Sequence, residues 1–299
     1  MAALAHGRRC RPGAGASLPL VLVGATLIAV LTAPSGQARA GGVPPAELVA
    51  AVTAAYGETG SLAVVVARQH TPAAGQSIRA AEARSARAAA YVADNGPAAY
   101  RPFPTASMVK LFLAEDILHR ARTGQLALTE ADVAQLQVMI SRSDDPAASA
   151  LWGRFGGARA VTDVSARYGL TGTAPPVVPG QWGEATTTAR DLARFLARLP
   201  AIAHPADAAT LLAWMRAATP LAADGFNQQF GLFGTAPGTP AVKQGWMCCV
   251  RGNRHLHSVA VIGHRVVVLL SEVPRAVGYD RARAALTAAA AALPPPRSP

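Results

Sequence analysis

Cysteine is scarce in this chain, with three among 299 residues. Cys10 lies in the N-terminal segment, which leaves the neighbours Cys248 and Cys249. No Cys-x-x-Cys pair occurs, and that removes the usual structural zinc site. Neighbouring positions on a strand point to opposite faces, so two separate thiols are expected. His255-x-His257 would turn two rings to one face of a strand, but no further ligand accompanies them. Neither a metal nor any other cofactor is expected. Aromatics make up only 5% of the chain, and few stand near the arginines of Ala-rich stretches such as Arg190, Arg194 and Arg198. A stacking platform for nucleic acid is therefore excluded, and solvated helix faces are the better reading. No Gly-x-Ser-x-Gly elbow and no internal repeat occur.

Acidic residues are absent from the first forty positions, which hold Arg8, Arg9 and Arg11, an apolar run from Leu18 to Ala33, and then Ala38-Arg39-Ala40. Basic, hydrophobic and small-residue regions in that order fit a secretory signal cleaved after Ala40. The run is short for a membrane span and is followed by Pro34-Ser35-Gly36, with an uncleaved anchor as the alternative. No cysteine follows it, which argues against a lipid attachment site. The expected location is secreted or in the cell envelope, outside the cytoplasmic membrane. Residues 41–299 keep 24 basic against 17 acidic residues, a moderate positive balance.

With 51% hydrophobic residues, the chain can bury a sizeable core. A helix is expected over Pro44–Tyr56, then a Val-rich strand over Ser61–Ala67 that can pair with Ala88–Ala93. Helical spacing runs over Thr105–Arg122, Thr129–Ile140, Ala147–Phe155, Ala158–Tyr168, Thr188–Leu199 and Ala206–Ala217. The first of these is apolar on nearly every side, the mark of a buried helix. Strand patterns return over Val242–Met247, Leu256–Gly263 and Arg265–Val273, the last two joined at Gly263-His264, before a closing helix over Asp280–Leu293. The expected fold is α/β, with an antiparallel sheet from the N- and C-terminal strands, flanked by helices and enclosing an all-helical lobe of about residues 111–220. Residues 41–294 form that domain, residues 295–299 a disordered tail, and a monomer is expected.

Three short motifs carry chemistry. Ser107-Met108-Val109-Lys110 puts a hydroxyl at a helix start and an amine one turn on, although alone it reads as a cap and a surface charge. Ser143-Asp144-Asp145 lies between helices and alone is an ordinary cap. Lys243-Gln244-Gly245 places a cation in an apolar strand beside a glycine that permits close approach; alone it could be an edge lysine.

Together and in this order, with Thr186-Thr187-Thr188-Ala189-Arg190-Asp191-Leu192-Ala193 before a helix, these residues resemble the class A β-lactamase and penicillin-binding serine hydrolase superfamily over roughly Ser61 to Leu293. The resemblance implies an acyl-enzyme on Ser107, with Lys110 taking its proton and Ser143 passing a proton to the leaving nitrogen. It further implies that Lys243 supports Ser143 and attracts a substrate carboxylate, and that Asp145, Gln244, Gly245 and Trp246 contact substrate. The backbone amides of Ser107 and Trp246 would form the oxyanion hole, and Arg251 or Arg254 would add to the carboxylate site. The implied substrate is a small-molecule β-lactam or a D-amino-acid peptide of peptidoglycan.

The chain departs from the family pattern at three places. Asp145 stands where Asn is usual, exchanging an amide donor for acceptors. Gln244 replaces a small hydroxyl residue. The loop before Thr186 has no carboxylate from Gly172 to Gln181, and Glu184 reads as a stabiliser of the loop neck. Slow deacylation follows from the missing loop carboxylate. The alternative is a non-catalytic penicillin-binding or wall-binding module with a degenerate site.

Overall fold

A computed structural model of the chain describes residues 44–69 and 93–294. The expected signal, the disordered tail and all but the last residue of the expected Ala88–Ala93 strand lie outside them. Helix α1 (Pro45–Tyr56) opens with proline in its first turn and stops at Gly57, whose φ of 64° a side chain would resist. Strand β1 (Ser61–Arg68) follows, buried on both faces. Its neighbours are the two-residue strand β2 (Ala93–Asp94) and the C-terminal β7 (Arg265–Pro274). The hairpin strands β5 (Ala241–Val250) and β6 (Asn253–Ile262) complete an antiparallel sheet in the order β2-β1-β7-β6-β5.

Period-two alternation divides this sheet between two cores. Leu62, Val64 and Val66 face α1 and the closing helix α10 (Tyr279–Ala291), and Val267 and Leu269 of β7 join them. Ala63, Val65 and Ala67 face the helical side together with Val266, Val268 and Leu270. That second core continues into the helical lobe, whose centre is α3 (Val109–Arg122), buried from Val109 through Ile117. Around it stand α4 (Glu130–Ser141), α5 (Asp145–Phe155), α6 (Gly157–Tyr168), α7 (Ala189–Ile202) and α8 (Pro205–Arg216); two four-residue helices, α2 (Pro97–Tyr100) and α9 (Leu232–Thr235), complete the set among the described residues. Burial of Glu115 and Asp116 inside this lobe is offset by Arg167, which pairs with both.

The helix expected over Thr105–Arg122 begins instead with a separate 3-10 turn, Ala106–Met108. Ahead of it, β3 (Phe103–Pro104) pairs with β4 (Thr186–Thr187), a two-stranded sheet that ties this turn to the loop before α7. Two-residue strands carry no period, so the sequence pattern does not reveal them. Cys248 and Cys249 are bonded to each other, which corrects the expectation of two thiols. That expectation assumed regular alternation, and the ladder of β5 with β6 loses its register between Cys248 and Val250.

Candidate active site

The turn that carries Ser107 is held at three points. Thr105 N donates to Ala185 O at 2.7 Å, and Thr105 Oγ1 donates to Gly183 O at 3.4 Å. His257 Nε2 lies 2.8 Å from Pro104 O, while Ser271 N donates to His257 Nδ1 at 3.3 Å, so Nε2 carries the hydrogen given to Pro104. Ala106 has φ of 46°, a left-handed conformation costly for a residue with a Cβ. Ser107 follows that bend, only 4% exposed, and its side chain makes no hydrogen bond among the described residues. Behind it runs β5: a Cβ on Gly245 would stand 3.2 Å from Ser107 N and 3.4 Å from Ala106 Cβ, so the strand approaches this closely because Gly245 lacks one.

Lys110 lies on the first turn of α3 and is wholly buried. Its Nζ donates to Ser143 O at 2.7 Å and to Asp145 Oδ1 at 2.5 Å, with Ser143 Oγ at 3.3 Å. From the other side Lys243 Nζ donates to Ser143 Oγ at 2.7 Å and to Gln244 O at 2.8 Å. Ser143 therefore sits between two buried lysines, with φ of 52°, a second left-handed residue other than glycine. Asp144 supports this corner by capping α5, accepting from Ala147 N at 2.8 Å.

Burial lowers the proton affinity of both amines. Desolvation pulls Lys110 down, opposed by the charge and hydrogen bond of Asp145. Lys243 falls well below the ordinary lysine value, through desolvation first and the neighbouring Lys110 charge second. An amine so displaced gives up its proton more readily than an exposed lysine does.

A cleft of about 250 Å³ opens beside this cluster, lined by Ser107, Asp145, Trp246, Met247 and the loop Gly180–Glu184. Of the residues marked in the sequence, Lys110, Ser143, Asp145 and Lys243 meet in one hydrogen-bonded group, and Ser107, Asp145 and Trp246 share the cleft. Gln244 does not join them. Strand alternation turns its side chain to the opposite face, where Nε2 donates to Gln228 O at 3.2 Å and to Phe230 O while Oε1 accepts from Ser258 Oγ at 2.8 Å. Arg254 is likewise committed elsewhere, to the carbonyls of Arg275 and Val277 and to the ring of Tyr279. Arg251 occupies the exposed β5–β6 turn.

The cleft positions of two loop residues were not foreseen in the sequence. Trp182 stands 4.9 Å from Lys110 Nζ, measured to its ring centre, and its Nε1 donates to Ser149 Oγ at 3.2 Å, bridging the loop to α5. Glu184, expected at the loop neck, lines the cleft. Both follow a loop of prolines and glycines without period. Their adjacency to the Thr186–Thr188 run was the available clue.

Residues 131–293 match the model of the β-lactamase enzyme family. The chain belongs to that family. The matched region contains Ser143, Asp145 and Lys243, while Ser107 and Lys110 precede it. Proteins named "Putative lipoprotein LppW" in Mycobacterium tuberculosis and Mycobacterium bovis are 40% identical over 191 residues, 62% of this chain. The match spans 60% of the length of each relative. Among solved structures, a β-lactamase of Chitinophaga pinensis shares the fold with a TM-score of 0.61 at 13% identity, covering 82% of this chain and 97% of that one. An ancestral class A β-lactamase, of the reconstructed last common ancestor of Gram-negative bacteria, gives 0.59 at 20% identity, with 82% and 98% covered. A β-lactamase of Xanthomonas campestris gives 0.58 at 21% identity, with 82% and 96% covered. The antiparallel sheet and helical lobe are thus the class A β-lactamase fold.

Proposed function

We propose that this chain is an exported serine acyl-transfer enzyme that forms an ester on Ser107 with a β-lactam or a D-amino-acid peptide and releases it slowly. The observation that carries this reading is Ser143 held between two buried lysines of lowered proton affinity, next to a cleft lined by Ser107. In the reaction Ser107 Oγ attacks the carbonyl carbon and Lys110 accepts the hydroxyl proton. Ser143 donates a proton to the leaving nitrogen and is replenished along its hydrogen bonds to Lys110 and Lys243. Trp182, over the Lys110 amine, narrows the approach of water, and Glu184 is the loop carboxylate available to activate one.

Export is supported by the basic, apolar and small-residue order of the first forty residues and by the lipoprotein name of the mycobacterial relatives. No described helix is long and apolar enough to cross a membrane. A second reading, a binding module without turnover, is favoured by one observation: Lys110 is engaged by Asp145 and not by Ser107.

Labelling with a fluorescent fluorophosphonate, followed by peptide mapping, tests the nucleophile. Attachment at Ser107, lost in Lys110→Met, is the expected result; an unlabelled Ser107 would favour the binding module.

A further inference from the structure

The bonded pair Cys248 and Cys249 follows directly on the cleft residue Met247 and takes no part in the chemistry proposed for Ser107. Both cysteines are exposed. They lie near the end of β5, an edge strand with β6 on one side and no strand on the other among the described residues. A dissolved thiol can therefore reach either sulfur, and exposed disulfides are the ones that exchange readily.

The pair also interrupts the ladder. Gly245 pairs with His257, Met247 with His255 and Cys248 with Arg254, but Val250 then pairs with Asn253, which leaves Cys249 without a partner across the hairpin. Continued without a break, the register would set Cys249 opposite Asn253 and turn its side chain to the face of Lys243, Gly245 and Met247. A bond between neighbouring sulfurs forbids that, because alternation sends the two side chains to opposite faces. The closed ring and the regular strand are thus mutually exclusive endings of β5.

A second observation marks the same stretch. His255, opposite Met247, is 1% exposed, and neither of its ring nitrogens has a hydrogen-bond partner. Glu272 Oε2 lies 3.8 Å from Nδ1, and the Val250 carbonyl favours the protonated ring without closing a hydrogen bond. Unsatisfied buried nitrogens are costly, so the bulged ending does not serve this group well. The state of the hairpin reaches the cleft through Met247: a Cβ on Gly183 would stand 3.8 Å from Met247 Cε, so this side chain packs against the loop beside Ser107.

We propose that Cys248–Cys249 is a reversible thiol–disulfide site at the lip of the cleft: a small thiol opens the ring, the end of β5 falls into regular register with β6, and the Met247 wall of the cleft shifts with it. A thiolate attacks one ring sulfur and forms a mixed disulfide while the other cysteine leaves as a thiolate. A second thiol then displaces the first, which departs as a disulfide. Two electrons and two protons pass from the two thiols to Cys248 and Cys249, and a small disulfide reverses the exchange.

To test this, the full-length chain is incubated with millimolar glutathione, its thiols are blocked with iodoacetamide, and the tryptic peptide of residues 244–251 is weighed. Amide hydrogen exchange is followed on the same samples and on the double variant Cys248→Ser/Cys249→Ser. The expected result is two blocking groups on that peptide, absent again when oxidised glutathione is added before blocking. Reduction should slow exchange at the end of the β5–β6 hairpin, where pairing is gained, and speed it over residues 180–184, where the Met247 contact is released. The double variant should show the reduced pattern with or without thiol. A pair that stays closed in the folded chain, while the same thiol opens it in denaturant, overturns the proposal. So does a pair that opens with no change over residues 180–184. Should the double variant fail to fold, the wild-type chain reduced and then reoxidised decides alone. Neither readout involves Ser107, so the outcome is separate from that of the acylation reading.

Discussion

Lys110 Nζ and Asp145 Oδ1 lie 2.5 Å apart, the lysine enclosed and the aspartate side chain 58% exposed. An aspartate here holds a proton on the amine that burial would otherwise release. The proposed base is thus restrained by its own neighbour, and its readiness depends on how well solvent screens that carboxylate.

Asp145→Asn removes the charge that raises the Lys110 proton affinity. The amine then deprotonates at lower pH, so the acid limb of the acylation rate moves to lower pH and the rate near pH 7 rises. A pH profile of Ser107 labelling from pH 5 to 9 measures this. An unmoved acid limb would mean that Lys110 is not the group losing the proton.

Gln244→Ala should act on stability rather than chemistry. It removes a buried amide that serves the carbonyls of Gln228 and Phe230 and the hydroxyl of Ser258. Leaving such groups unsatisfied costs about 1–3 kcal/mol. Denaturant unfolding should show that loss while acylation per folded molecule stays close to wild type; a stable protein with impaired acylation would return Gln244 to the substrate contacts.

His257 sets an acid limit on the fold. Its proton affinity is pushed down to about 3, chiefly by burial and then by the neighbouring His255. The unfolded chain binds that proton near pH 6.5 and the folded chain refuses it until about 3, so stability falls as pH drops through this window. The slope approaches about 1.4 kcal/mol per pH unit for one proton. His255, also lowered by burial, adds in the same direction. Because His257 holds Pro104 ahead of the Ser107 turn, His257→Gln keeps a donor without the titration. Its Tm should decline less than wild type between pH 7 and 4.5, and parallel declines would exclude His257 as the source.

Long elements were legible because their periods persist. The Val-rich β1, the β6–β7 hairpin and the apolar α3 each repeat over enough residues to be placed, although the long pairing of β1 with β7 was not read from the pattern. The clustering of Lys110, Ser143 and Lys243 was legible only through the resemblance, since 100 residues separate Ser143 from Lys243 and no local pattern joins them. What remained hidden was set by backbone details without periodicity. The left-handed Ala106 and Ser143, the two-residue β3 and β4, and the loop that brings Trp182 and Glu184 to the cleft leave no repeat to read. Gln244 was misjudged because its motif neighbours suggested a substrate contact, whereas strand alternation sends its side chain the other way from Lys243 and Gly245.

Time-resolved intact-mass spectrometry of residues 41–299 with a penicillin, beside Ser107→Ala, addresses the proposed chemistry most directly. Acylation of Ser107 with slow release should give one adduct of the full penicillin mass per chain, persisting for many minutes in the wild type and absent from the variant. An unmodified wild-type chain, or the same adduct on Ser107→Ala, would contradict it.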